Sequence, residues 1–256
     1  MRIQLAESVL ETNNPFIIAG PCAVENYEMM NKTVQYLVKK QIKVIRAGAF
    51  KPRTSPDDFQ GLGVSALKIL NDIRQKYQVK IVSEIVDIKY LDVMCSNVDI
   101  LQVGARNMYN YELLKEIGKI KFPVVLKRGM SATIPEFLNA TEYIVKGGNE
   151  NIILCERGVR SFDKSTRNLL DLSCVAIVKK ETSYPVLVDI SHSLGRKDIA
   201  LEISKAAFVV GADGIMVEVH PNPEQALSDP LQQMSIIEFD RFYNNLIHKD
   251  YNSVLW

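Results

Sequence analysis

The chain has 256 residues, of which 47% are hydrophobic and 24% are charged. A chain of this length and composition buries most of its unfolded surface in one large domain or two smaller ones, which excludes an intrinsically disordered protein. Its 31 basic and 30 acidic residues nearly cancel, so the net charge gives no case for binding to nucleic acid or to an anionic membrane.

The lack of a recognisable targeting signal and the cysteine usage favour the cytoplasm. The first residues, MRIQLAESVLETNN, lack the apolar core and cleavage pattern of a signal peptide, and no later apolar run approaches the roughly 20 residues that span a bilayer. The four cysteines, Cys22, Cys95, Cys155 and Cys174, form no CxxC pair. We therefore expect free thiols in a reducing compartment, with the last three as core residues.

Eight short apolar runs rich in Val and Ile predict parallel strands that are covered on both faces. In chain order they are PFIIAG (15–20), VIRAGA (44–49), KIVSEI (80–85), ILQVGA (100–105), PVVLK (123–127), NIILCE (151–156), PVLVDI (185–190) and GIMVEV (214–219). Helical patterns lie between them, and the clearest are 27–40, 64–77, 134–147 and 197–210.

The alternation of strand and helix predicts a single-domain (β/α)8 TIM barrel. Strand starts lie about 20 to 36 residues apart, and eight such units in roughly 250 residues match the size of this fold. A doubly wound open sheet is the alternative, but no topological switch point is visible. We expect residues 1–15 to be a short N-terminal extension and residues 16–256 to form the catalytic barrel.

Basic residues recur at the predicted carboxyl ends of the strands, where barrels of this kind build their active sites. They are Arg46, Lys51, Arg53, Arg106, Lys127 and Arg157. Taken singly, each is an ordinary surface cation. Together they would repel one another at one mouth unless an anion neutralised them, and arginine forks grip phosphate and carboxylate oxygens. The pattern predicts a small, highly anionic substrate.

Four candidate metal ligands lie at or just after the ends of strands that become neighbours when the barrel closes. They are Cys22 after strand one, His192 at the end of strand seven, Glu218 at the end of strand eight and Asp229 in the loop after it. Each alone has a structural explanation, as a buried thiol, an ion pair or a turn. Their combination of N, O and S donors suits a divalent ion. His220 is a competing ligand that we expect either to support a metal ligand or to be structural, and we expect His248 to face solvent.

Seven segments in order closely resemble 3-deoxy-D-arabino-heptulosonate 7-phosphate (DAHP) synthases of the short type I-beta form. They are AGPCAVE (19–25), RAGAFKPRTSP (46–56), QVGARNM (102–108), VVLKRGM (124–130), ILCERGVRSF (153–162), DISHSLGRKD (189–198) and VEVHPNPEQALSD (217–229). The resemblance implies a transferase of the shikimate pathway of aromatic amino acid biosynthesis. Such an enzyme condenses phosphoenolpyruvate with erythrose 4-phosphate and releases phosphate.

The resemblance also implies a role for each residue at the predicted mouth. One divalent ion, such as Mn, Fe, Co or Zn, would be held by Cys22, His192, Glu218 and Asp229. Substrate contacts would come from Arg46, Lys51, Pro52, Arg53, Thr54, Gly104, Ala105, Arg106, Lys127 and Arg157, with the segment 51–54 at the aldose. The chemistry of the condensation adds two roles as hypotheses, Lys51 as proton donor and Glu84 in steering water. With the ligand His192 they are the predicted catalytic residues.

The segment KPRTS (51–55) favours erythrose 4-phosphate, because the similar 3-deoxy-octulosonate 8-phosphate synthases look like KANRS there. Pro52 fixes its own φ and holds Lys51 extended. Octulosonate synthesis from arabinose 5-phosphate is the alternative enzyme. A barrel that only binds a phosphorylated metabolite, or a scaffold for chorismate mutase, is the non-enzymatic alternative. Some octulosonate synthases have Asn in place of Cys22 and need no metal, so Cys22 predicts metal dependence.

Assembly and regulation are inferred from the resemblance alone. Relatives are commonly dimers or tetramers, so a homo-oligomer is expected. Many relatives have a separate regulatory domain before the barrel. Here the first predicted strand begins near Phe16, so about 15 residues precede it. We expect no feedback by phenylalanine, tyrosine or tryptophan unless chorismate mutase binds in trans. Roles for residues 1–15 and for the apolar tail SVLW (253–256) are left open.

Overall fold

The computed structural model describes residues 2–5, 8–11 and 15–247, with side chains over 15–247. Within these ranges the strands are β1 (Arg2–Leu5), β2 (Ser8–Glu11), β3 (Phe16–Gly20), β4 (Val44–Arg46), β5 (Lys80–Ile85), β6 (Ile100–Val103), β7 (Val124–Lys127), β8 (Ile152–Glu156), β9 (Val186–Asp189) and β10 (Gly214–Glu218). The α-helices are α1 (Tyr27–Lys39), α2 (Val64–Tyr77), α3 (Leu91–Asn97), α4 (Tyr111–Gly118), α5 (Ile134–Val145), α6 (Leu172–Glu181), α7 (Ile190–Leu194), α8 (Ala200–Val209) and α9 (Ile236–Ile247).

Strands β3 to β10 form a closed barrel in which every neighbouring pair is parallel. The barrel closes where β10 pairs with β3, in the register Gly214↔Phe16 to Glu218↔Gly20. The predicted (β/α)8 barrel is thereby confirmed, and all eight predicted strands lie within a few residues of their predicted bounds. The segment predicted as a plain extension contains a hairpin, since β1 pairs antiparallel with β2.

The strands are apolar along their whole length because both of their faces are covered. On β3, Phe16 and Ile18 belong to the barrel interior, whereas Ile17 and Ala19 belong to the layer between the barrel and the helices. This alternation follows from the two-residue period of a strand. The interior also contains the Cys155 side chain.

Cys155 and Cys174 are buried free thiols, as predicted, but Cys95 is only partly buried. Cys95 lies on α3, one of the short outer helices, which explains why its side chain is not fully covered.

Helix boundaries follow local chemistry. Thr133 and Glu136 form a reciprocal capping box at the start of α5, in which each side chain accepts a hydrogen bond from the other residue's backbone. After α5 ends at Val145, Gly147 packs directly on the backbone of Gly118, where a Cβ atom would come within 2.5 Å of a carbonyl carbon. Across the described residues, none of the helices has the length and apolar character needed to cross a bilayer.

Candidate active site

A cavity of about 450 Å³ opens at the carboxyl ends of the barrel strands. Every residue predicted to bind substrate lines it: Arg46, Lys51, Pro52, Arg53, Thr54, Gly104, Ala105, Arg106, Lys127 and Arg157. Glu84, His192 and Asp229 also reach its wall. The fold therefore collects in one place the side chains that the sequence pattern assigns to one site.

The four predicted metal ligands form a compact cluster. One ligand atom from each of Cys22, His192, Glu218 and Asp229 lies within 4.8 Å of the others. The Cys22 Sγ is 3.1 Å from Oδ2 of Asp229, and the His192 Nε2 is 3.6 Å from Oε1 of Glu218. Metal bonds of about 2.0 to 2.3 Å place tetrahedral ligands roughly 3.5 Å apart, so both the donor set and the spacing fit one divalent ion.

His192 lies on the short helix α7 and not at the end of a strand, where the strand pattern predicts it. The strand ends at Asp189 because its carboxylate caps α7, accepting a hydrogen bond from the His192 backbone N–H at 3.0 Å. The same carboxylate lies 2.9 Å from Nδ1 of the imidazole, which leaves Nε2 facing the cluster. A carboxylate behind a histidine is the usual way to orient a metal ligand.

Burial lowers the pKa of His192 to about 4, although the charges of Asp189 and Glu218 oppose the shift. The imidazole is therefore neutral at physiological pH, which is the state that binds metals. Asp229 reaches the cluster from a left-handed backbone conformation with φ of 47°, which Asp tolerates better than most residues.

Several of the cations are already paired with carboxylates, contrary to the expectation that a bound anion neutralises all of them. Arg46 forms a buried ion pair with Glu218, and Lys127 forms another with Asp189 at 2.5 Å. Burial alone would raise the pKa of Glu218, but nearby positive groups, Arg46 among them, hold it well below its usual range. The sequence pattern misses these pairs because the acidic partners lie on other strands.

Two more cations make contacts within the site. The Lys51 Nζ lies 2.9 Å from the Cys22 Sγ and 4.0 Å from Asp229. Burial alone would lower the pKa of Lys51, but the neighbouring acidic groups, Cys22 first, raise it above its ordinary value. The amine is therefore protonated at neutral pH. On the rim, Arg53 pairs with Asp58 at 3.0 Å.

Arg157 has no carboxylate within ion-pair distance among the described residues, although its side chain is only 5% exposed. Its Nη1 donates one hydrogen bond, to the Gly158 carbonyl at 3.2 Å, and burial lowers its pKa. A buried guanidinium without a counter-charge is costly unless a ligand supplies one. Arg157 is the strongest single indication of an anion site in this cavity.

The loop between β8 and α6 contributes cations that the sequence reasoning does not assign. Arg160, Lys164 and Arg167 line the cavity beside Arg157. Their three- and four-residue spacing in RGVRSFDKSTR is a signal that could have identified them. The cavity is also lined by Asp58, Gln102, Met130, Ser161 and Asn168, none of which is predicted.

A buried ion network holds the base of this loop. The Arg128 Nη1 donates to Glu156 at 3.0 Å and to Asp171 at 2.9 Å, so it joins β8 to the start of α6. The other oxygen of Glu156 accepts a hydrogen bond from the Gly158 backbone N–H at 2.5 Å. The backbone on either side of Arg157 is therefore fixed.

His220 behaves as predicted, as a structural residue outside the metal cluster. Its Nδ1 accepts a hydrogen bond from the Asn222 backbone at 3.0 Å, and its Nε2 faces Glu25 at 3.5 Å. The first contact lies within the loop after β10, and the second connects that loop to the loop after β3. His248 lies outside the described residues.

The sequence matches the model of the DAHP synthetase I family over residues 3–253. This chain belongs to the DAHP synthetase I family. It is 51% identical over 218 residues to a phospho-2-dehydro-3-deoxyheptonate aldolase of Thermotoga maritima, which covers 85% of this chain and 64% of that protein. The chain thus spans less than two thirds of that relative's length.

Some relatives of this chain are named for a different activity. A 2-dehydro-3-deoxyphosphooctonate aldolase of Francisella tularensis subsp. mediasiatica is 30% identical over 254 residues, covering 92% of this chain and 91% of the relative. Among solved structures, the Thermotoga maritima phospho-2-dehydro-3-deoxyheptonate aldolase superposes with a TM-score of 0.89 at 46% identity, covering 96% and 72% of the two chains. A truncated Thermotoga maritima 3-deoxy-D-arabino-heptulosonate 7-phosphate synthase gives 0.86 at 43%, covering 96% and 90%.

Proposed function

We propose that this protein condenses phosphoenolpyruvate with erythrose 4-phosphate and releases phosphate, which is the DAHP synthase reaction and the first step of the shikimate pathway. The observation that carries the proposal is one cavity in which an excess of cations borders a Cys, His, Glu and Asp cluster. Both substrates are polyanions. The name of the 51% identical Thermotoga relative supports the same reaction.

Phosphoenolpyruvate would occupy the inner part of the cavity. Arg157, Arg106 and Lys127 would bind its phosphate and carboxylate, since guanidinium groups match these oxygens with paired hydrogen bonds. Glu84 stands beside this position and accepts a hydrogen bond from Gln102 at 3.2 Å. The aldose would lie over the segment 51–54, with its phosphate near Arg53 and Thr54.

The chemistry needs one proton donor and one water molecule. C3 of the enol phosphate forms a bond to the aldehyde carbon, and the protonated Lys51 gives its proton to the aldehyde oxygen. Water adds at C2 and loses one proton to Glu84. The C2–O bond to phosphate then breaks, the remaining hydroxyl proton passes to the leaving phosphate, and C2 becomes a ketone. A divalent ion held by Cys22, His192, Glu218 and Asp229 would supply Lewis-acid polarisation and orientation of the aldehyde.

The deciding experiment measures phosphate release with erythrose 4-phosphate and with arabinose 5-phosphate, each before and after treatment with a chelator. We expect the four-carbon sugar to be preferred, and activity to disappear with the chelator and to return with Mn²⁺, Co²⁺ or Zn²⁺. Preference for arabinose 5-phosphate would identify an octulosonate synthase. Unchanged turnover after full metal removal would contradict the metal centre.

Three further properties extend this proposal. Residues 16–256 would form the catalytic barrel in the cytoplasm, with residues 1–15 as an extension of it. The protein would act as a homo-oligomer, a dimer or a tetramer, which sedimentation would measure. Chorismate mutase would bind in trans and confer feedback inhibition, so adding that enzyme with an aromatic amino acid tests whether turnover falls.

A further inference from the structure

Two consecutive glutamines, Gln232 and Gln233, lie against the metal-ligand cluster and are 4% and 0% exposed. The chain holds them there because the next residue, Met234, pairs with the end of β10. The Met234 N–H donates to the Glu218 carbonyl at 2.8 Å, and the Met234 carbonyl accepts from the His220 N–H at 2.9 Å. These two hydrogen bonds hold the backbone from which both glutamine side chains extend.

The Gln233 side chain joins two loops that each carry a ligand. Its Oε1 accepts a hydrogen bond from the Cys22 backbone N–H at 2.9 Å, and its Nε2 donates to the Ser228 carbonyl at 2.8 Å. Asp229 follows Ser228 directly, in its left-handed conformation. One buried amide therefore sets the distance between the thiol of Cys22 and the carboxylate of Asp229.

The Gln232 side chain acts on the other carboxylate of the cluster. Its Nε2 donates to Oε2 of Glu218 at 2.5 Å, and its Oε1 accepts from Nη1 of Arg167 at 2.5 Å. The same Nη1 lies 3.2 Å from Oδ1 of Asp229. With Oε2 of Glu218 occupied by this amide, Oε1 is the oxygen that faces His192.

We propose that Gln232 and Gln233 are positioning residues for the metal centre, Gln233 for Cys22 and Asp229, and Gln232 for Glu218. The inference rests on the proposed function of this cluster as a divalent-metal site. Neither side chain is among the four ligands. Residues that hold metal ligands in place typically change affinity or activity by about 10- to 100-fold when they are replaced.

The test is titration of the metal-free protein with Co²⁺, followed by the absorption bands of the bound ion. Thiolate-to-cobalt charge transfer reports on Cys22, and the visible bands report on coordination as a whole. Gln233→Met and Gln232→Met keep the side-chain length and remove the amide. Asn149→Leu is the control, because Asn149 is also a fully buried amide, and it donates to two backbone carbonyls, those of Phe122 and Ile117.

Asn149 precedes β8 and thus lies at the end of the barrel opposite the cavity. We expect all three variants to lower the thermal unfolding temperature, but only the two glutamine variants to bind Co²⁺ about 10- to 100-fold more weakly. Gln233→Met should also weaken the thiolate band per bound ion, whereas Gln232→Met should leave that band intact. This split separates positioning from general destabilisation.

Co²⁺ affinity within about twofold of the wild type in both glutamine variants would overturn the proposal. An equal loss of affinity in Asn149→Leu would overturn it as well. If Gln233→Met does not unfold cooperatively, the affinity of Gln232→Met decides the matter. A wild-type protein without a thiolate-to-cobalt band would instead refute the proposed metal centre, and this inference with it.

Discussion

Gly104 lies directly beneath the carboxylate of Glu84. A Cβ atom on residue 104 would come within 2.0 Å of Oε1 and 2.6 Å of Cδ of that side chain. The backbone at Gly104 has an ordinary φ of −69°, so glycine is needed here for space and not for conformation. The absence of a side chain at one position thus sets where the carboxylate of another can stand.

Gly104→Ala should therefore reduce turnover more than stability. The alanine methyl displaces the Glu84 carboxylate, which is the end of a flexible chain, so we expect the free energy of unfolding to change by less than about 1 kcal/mol. We expect kcat/KM to fall about 10-fold or more, as for loss of a positioned acid–base group. Steady-state kinetics and urea unfolding measure the two quantities. A variant with wild-type kinetics would remove Glu84 from the mechanism.

Cys22→Ala should abolish metal-dependent turnover while preserving the fold. The thiol is lost, but the backbone N–H that Gln233 holds is retained, so the loop after β3 stays in place. We expect a fall in kcat of at least about 100-fold, larger than the usual effect of a residue outside the ligand set. Metal content by elemental analysis and circular dichroism provide the measurements.

Cys95→Ala is the matched control for that variant, because Cys95 is also a free thiol but is only partly buried and lies on α3. Its kinetics and metal content should equal those of the wild type. Retained activity in Cys22→Ala, or an equal loss in Cys95→Ala, would show that the thiol is not a ligand.

Arg157→Met should stabilise the folded protein but weaken its binding of phosphoenolpyruvate. Removing a buried cation that lacks a carboxylate partner among the described residues should raise the free energy of unfolding by about 1 kcal/mol or more. The KM for phosphoenolpyruvate should rise about 10- to 100-fold, since a charge-assisted hydrogen bond is worth about 1.5 to 3 kcal/mol. Steady-state kinetics measure the KM, and thermal unfolding measures the stability. The stabilisation that phosphoenolpyruvate gives in thermal unfolding should be smaller in the variant than in the wild type.

Arg128→Met should have the opposite effect on stability. Arg128 is as buried as Arg157, at 5% exposure, but it pairs with Glu156 and Asp171. Its removal leaves the Glu156 charge buried and uncompensated, at a cost of about 3 to 5 kcal/mol. If both arginine variants shifted the unfolding temperature in the same direction, ion pairing would not be what distinguishes them.

Pro52→Ala should weaken binding of the aldose without changing the chemical step. Freeing the loop before binding costs about 0.4 to 1 kcal/mol, so the KM for erythrose 4-phosphate should rise about two- to fivefold at constant kcat. Pro56→Ala provides the control, since Pro56 is exposed in the same loop and does not line the cavity. Equal effects of the two substitutions would assign them to loop entropy in general.

The barrel was predictable because strands that are covered on both faces have continuous apolar runs in the sequence. The ends of those runs then gave the cavity wall, and closure of the barrel brought Cys22 beside Glu218. The ion pair between Lys127 and Asp189 was not predictable, because no sequence pattern indicates which polar residues on strands β7 and β9 contact each other. Nor was the turn of His192 into α7, which depends on one capping carboxylate.

Loop residues were the hardest to place. Arg160, Lys164 and Arg167 reach the cavity because Arg128 anchors the base of their loop, a contact between segments far apart in the chain. The two glutamines after Asp229 have no charge, so nothing in composition singles them out. Their partners are backbone groups and a carboxylate that only the folded barrel brings near.

The meeting of β10 with β3 places the thiol of Cys22 next to the carboxylate of Asp229, 207 positions later in the chain. An ion bound between them would connect the first and last strands of the barrel. In the described barrel, β10 and β3 are the one pair of neighbouring strands that are not consecutive in the sequence. Because these ligands come together only in the folded barrel, the free energy of binding the ion would stabilise the native state over the unfolded chain. We expect amide hydrogen exchange in β3 and β10 to quicken first when metal is withdrawn.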